Sequence, residues 1–145
     1  MSKNNNPRET DLLIEWKKRL GLQDWAIILQ INCSPKEMEI PDSEGCTTWE
    51  ESTKSAQIQI ADPVKIGELV RPFDFEEILV HELLHIKTTL LSKNDPDDLT
   101  DRILHQTIDD LGRALVDAKR FGGKNEKTTC YDAGFNAMRR QYCAC

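Results

Sequence analysis

Two imidazoles and a carboxylate stand together in His81-Glu82-Leu83-Leu84-His85. On a helix, residues four apart share a face, so His81 and His85 can point at one ion. Glu82, turned about 100° from His81, then flanks an open coordination position. Zinc at a catalytic site takes three protein ligands and keeps a fourth position for water. His105 is the only other histidine of the chain and is the expected third ligand. Asp109 lies one turn beyond it on the same face, where it can accept the outer N–H of a ligand imidazole, fixing the ring and making it more basic. The chemistry expected of this set is hydrolysis: zinc acidifies a water and polarises a carbonyl, while Glu82 takes the proton as general base and returns it to the leaving amine. No histidine remains to hold the oxyanion, which leaves Tyr131, Tyr142 or a backbone N–H for that task.

The elements around the motif can be read from pattern. Asp74, with Glu77 three residues on, has the form of a capping box, and it opens a helix expected over Phe75 to Leu91. Phe75, Ile78, Leu79, Leu83, Ile86 and Leu90 go round much of that helix, so it should be central and buried. A turn at Asn94-Asp95-Pro96-Asp97 leads to a third helix reaching about Arg120, with Leu104, Ile108, Leu111 and Leu115 as its inward stripe. Upstream, Thr10 is the expected cap of a first helix carrying Leu12, Leu13, Trp16 and Leu20, which Gly21 ends. Trp25 to Ile31 reads as a strand buried on both faces, and Cys46 to Glu50 as another. Ala56, Ile58 and Ile60 alternate with Gln57 and Gln59, the period of a strand with one face in water.

The whole chain of 145 residues is the size of one domain, and 39% hydrophobic residues suffice for a core. We expect a lead-in over 1–7 without fixed structure, a domain over 8–121 and a tail over 122–145, docked or disordered, with a short helix around Phe135 to Arg140. A net charge of −6 gives sequence-independent nucleic-acid binding no electrostatic footing. The first residues lack the pattern of a secretory signal, and no apolar run approaches membrane-spanning length. A cytoplasmic setting with reduced thiols is therefore expected for the five cysteines, at 33, 46, 130, 143 and 145. Asp95, Asp97 and Asp98 lack calcium-loop spacing.

Two histidines four apart around a glutamate, a ligand position at 105 and an aspartate at 109 together resemble the gluzincin arrangement of thermolysin-like peptidases. The resemblance covers the two helices and the strand at 56–60, about a third of the chain, as judged by those motifs. It departs at the third ligand, which is glutamate in that family and histidine here. Three-histidine sites resemble those of SprT-like metalloproteases, which place the third histidine closer to the motif. In outline the chain is similar to minimal HExxH metallopeptidases of bacterial and phage genomes, related to the ImmA/IrrE type. The resemblance implies a zincin-like α+β fold with a small, mostly antiparallel sheet covered by the first helix and the motif helix. It also implies a peptide or protein substrate lying along an edge strand, a role it gives to Gln57, Ile58 and Gln59. The rival readings are a non-catalytic zinc module, which a fourth ligand from Cys130, Cys143 or Cys145 would favour, and a SprT-like protease acting on DNA-bound proteins.

Overall fold

The computed structural model describes residues 7–69, 71–92 and 98–122. The expected turn at 94–97, the short helix at 135–140, the residues before Pro7, Tyr131, Tyr142 and Cys130, Cys143 and Cys145 lie outside the described residues. Three helices and a small mixed sheet make an α+β fold. Helix α1 spans Pro7–Arg19, strand β1 Ala26–Cys33, β2 Gly45–Glu50, β3 Ser55–Ala61, α2 Phe75–Lys87 and α3 Leu99–Phe121. Among the described residues no helix is long and apolar enough to cross a membrane.

The sheet order is β1-β3-β2, with β3 parallel to β1 and antiparallel to β2. That pairing corrects two expectations. The sheet is mixed rather than mostly antiparallel. The strand at 56–60 is also its centre rather than an edge, so Gln57, Ile58 and Gln59 have both backbone edges occupied and offer no free ladder to a substrate. Ile58 is buried in the core, and Gln57 and Gln59 hydrogen-bond Gln30 on the sheet's other face. Strand β1 is not buried on both faces either. Leu29 and Ile31 point inward, whereas Ile28 is 62% exposed, because helices cover only one side.

The inward residues Leu29, Ile31, Ala56, Ile58 and Ile60 meet Leu79 and Leu83 of α2, with Trp16 from α1 and Ile108 and Val116 from α3. Burial of this apolar set is what holds α2 at the middle of the molecule. Pro7 opens α1, where its missing N–H costs nothing, so Thr10 sits inside the helix rather than capping it. Gly21, at φ 68°, takes the left-handed conformation that ends it. Helix α2 stops at Lys87, short of Leu91, and continues as a 3₁₀ turn over Thr89–Leu91 that leaves Leu90 outside the core at 86% exposure. On α3 the inward stripe is Ile108, Gly112 and Val116, with Leu104 and Leu115 beside it and Leu111 outside. The buried set follows a four-residue period, which leaves Leu111 outside and Leu115 packed at its border.

The start of α2 is tied to the end of α3. Asp74 caps α2 by accepting from the backbone N–H groups of Glu76 and Glu77 at 3.0 and 3.1 Å. The Arg120 guanidinium donates to both Asp74 oxygens at 2.7 and 2.9 Å, a forked pair that holds the carboxyl below its usual range. Buried Glu76 accepts from Trp16 Nε1 at 2.7 Å and from Lys119, so one carboxylate joins all three helices. These links fix the pitch at which α3 crosses the face of α2 that carries the histidines.

Candidate metal centre

Helix α2 presents His81 and His85 one turn apart, with their Nε2 atoms at 3.0 Å. Helix α3 adds His105, whose ring centroid is 4.9 Å from that of His81 and 5.4 Å from that of His85. One ligand nitrogen from each of the three lies within 4.8 Å of the others. A tetrahedral ion holding nitrogens at about 2.0–2.1 Å spaces them by about 3.4 Å. That value falls between the 3.0 Å of the α2 pair and the 4.8 Å that bounds all three, so the imidazoles lie close enough to share one ion. The cluster fits a divalent metal by its donor chemistry as well.

Burial pushes the His85 imidazole down to about 4, reinforced by His81 and His105 beside it. Burial also lowers His81, against the opposing pull of Asp109. Both rings are therefore neutral at physiological pH, with lone pairs available to an ion. Asp109 Oδ1 is 3.0 Å from His81 Nδ1 and accepts its proton, which leaves Nε2, 3.0 Å from His85 Nε2, as the unprotonated nitrogen facing the cluster. Arg113 in turn lies near Asp109, its Nη2 at 3.8 Å from Oδ2.

Glu82 is 5% exposed, and burial drives its carboxyl up to about 7 despite a hydrogen bond from Thr47. The Thr47 hydroxyl donates to Glu82 Oε2 at 2.6 Å and so fixes the carboxylate plane. The other oxygen lies against Gly45, where an added Cβ would stand 2.5 Å from Oε1 and 2.8 Å from Ile78 Cγ2. Both contacts come from edge strand β2, and sequence reasoning found neither residue. Threonine carries no signature of such a role, and the one available signal was a glycine at the start of a strand, which often marks close approach of another group.

Beside the histidines a cleft of about 540 Å³ opens, lined by Gly45, Glu82, His81, His105 and Arg113 among others. The sequence-predicted residues His81, Glu82, His85, His105 and Asp109 are thus brought together, whereas Gln57, Ile58 and Gln59 do not line the cleft. The chain matches no family model, no curated protein and no solved structure.

Gly45 offers a direct probe of it. Gly45→Ala should displace the Glu82 carboxylate, because the neighbour on its other side, Ile78, is packed on a buried helix. We expect the variant to keep its metal affinity within about threefold and to lose about tenfold or more of any activity that needs Glu82 in place. Metal titration beside a turnover assay checks this, and an unchanged rate would mean that Glu82 tolerates displacement.

Proposed function

We propose that the chain is a zinc-dependent peptidase with a zincin-like arrangement of its motif helix and sheet. The observation that supports this best is the buried carboxylate of Glu82, held by Thr47 beside three convergent imidazoles at an open cleft. A metal that merely stapled α2 to α3 would have no need of it, and closed structural sites have four protein ligands, of which three are found among the described residues.

His81, His85 and His105 would hold the ion, with Asp109 orienting His81. Zinc bound there supplies Lewis acidity, polarising a substrate carbonyl and lowering the pKa of a water. Glu82 does the proton work, taking a proton from the water and returning it to the leaving amine. Gly45 and Thr47 keep that carboxylate turned toward the cleft. The outer edge of β2, unpaired among the described residues, is the place for an extended substrate to add its main-chain hydrogen bonds. This reassigns to Gly45–Glu50 the role that the resemblance gave to 56–60.

The test is cleavage of a mixed peptide library by the purified chain, before and after chelation. We expect cleavage that falls to background on chelation and returns on adding about one equivalent of zinc, as for other metal-activated waters. Cleavage that survives full chelation would remove the metal from the mechanism.

A further inference from the structure

Peptide hydrolysis builds negative charge on the scissile carbonyl oxygen, and a positioned donor lowers the barrier by meeting that charge. Arg113 lines the cleft together with His81, Glu82 and His105. It follows Asp109 by one turn, so 105, 109 and 113 share a side of α3. Helix α3 crosses closest to the motif just before it: a Cβ added at Gly112 would stand 3.7 Å from the His81 backbone nitrogen. Arg113 therefore leaves α3 beside the first histidine of the cluster, and its charge is felt at that ring. One carboxylate positions both groups. Asp109 Oδ1 accepts from His81 Nδ1 at 3.0 Å, while its Oδ2 lies 3.8 Å from Arg113 Nη2. Asp110 adds a second carboxylate 3.7 Å from the same nitrogen. Neither distance is a hydrogen bond. The one hydrogen bond of the guanidinium among the described residues runs from Nε to the Asp109 carbonyl at 3.2 Å, which leaves the donors of both NH2 groups unspent.

We propose that Arg113 is the donor that receives the substrate oxyanion, a catalytic role that rests on the peptidase reading above. In that step the water oxygen bonds to the carbonyl carbon as its proton passes to Glu82, and the C=O π pair moves onto the oxygen that meets Arg113. The pair returns as the C–N bond breaks and the proton reaches the leaving amine. Arginine suits the task because it is charged at every working pH and presents its N–H groups in a rigid fork. A localised oxyanion draws more from that fork than a neutral carbonyl does, and only such a difference speeds the chemical step. Arg71 is the other cation lining the cleft, but it is exposed on the connection before α2 and makes no ion pair among the described residues. Arg113 is the cation that the fold holds in place.

The test compares zinc-loaded parent, Arg113→Gln and Arg113→Lys by zinc content, by kcat and KM on the best-cleaved library peptide, and by calorimetric affinity for a phosphinic peptide, whose P–O⁻ stands in for the oxyanion. The phosphinate is built on that peptide, or on an alanine peptide if none is cleaved. Arg113→Gln should keep its zinc and a KM within about threefold of the parent, while kcat and phosphinate affinity each fall by about 10²-fold. Arg113→Lys keeps the charge but not the fork and should recover about tenfold of both losses. The Arg113 side chain is 30% exposed, so glutamine there buries nothing new. A raised KM at unchanged kcat would make Arg113 a ground-state contact and overturn the proposal. So would a loss of rate that tracks a loss of zinc, since Arg113 would then act only through Asp109 and His81. Cleavage at the parental rate by Arg113→Gln would sink the proposal and leave the peptidase standing. Phosphinate binding that depends on Arg113, with no cleavage of any peptide, would do the reverse.

Discussion

Glu82→Gln should reduce peptide cleavage by about 10²–10⁴-fold, the usual worth of a positioned general base, while zinc affinity stays within a few-fold of the parent. Glutamine keeps the volume and can still accept from Thr47, so the histidine cluster has no reason to move. A second consequence follows from the burial of that carboxyl. In the metal-free folded chain Glu82 holds its proton to about pH 7, against a usual value of 4.5. The folded state therefore binds more protons than the unfolded one between those values, and its stability falls as pH rises through that window. Glutamine cannot ionise, so metal-free Glu82→Gln should be more stable than the parent by about 3 kcal/mol at pH 8, with the difference gone below pH 4.5. Denaturant unfolding of the two metal-free proteins at pH 4 and pH 8 measures it. A parent as stable as the variant at pH 8 would mean that water reaches Glu82 freely.

His81→Ala and His85→Ala should each abolish stoichiometric zinc binding and, with it, all cleavage. Each removes one of three ligands, and two imidazoles do not hold zinc against dialysis. His105→Ala should behave likewise if α3 closes the set as the distances indicate, which makes it the most informative of the three. Asp109→Asn should be milder, with affinity lowered by about 10–100-fold, because it weakens the orientation and basicity of His81 without removing a ligand. Isothermal titration with zinc ranks the four variants. Full affinity in His105→Ala would detach α3 from the site.

The histidine cluster was legible because a helix forces periodicity on its sequence. His81 and His85 at i and i+4, on a segment with a capping aspartate and apolar residues all round, admit few geometries, and a single remaining histidine left few choices for a third ligand. Asp74 announced the start of α2, and Gly21 the end of α1. What could not be read were relations between distant segments. The alternation at 55–61 shows that one face is wet, but it cannot show that β1 and β2 occupy both edges, so nothing in the strand itself contradicts the edge position that the resemblance implies. The contacts of Thr47 and Gly45 with Glu82 cross 35 or more positions and carry no local signature. On α3, Leu111 looked as apolar as Val116, and only the approach of α2 over Gly112 decides which of them is buried.

The most direct measurement is zinc content per chain, by elemental mass spectrometry after loading with zinc and dialysis into metal-free buffer, on the parent, Glu82→Gln and His85→Ala, with library cleavage assayed on the same samples. The account predicts about one zinc in the parent and in Glu82→Gln, none in His85→Ala, and cleavage by the parent alone. A parent without zinc, or zinc-loaded parent and Glu82→Gln cleaving equally, would contradict it.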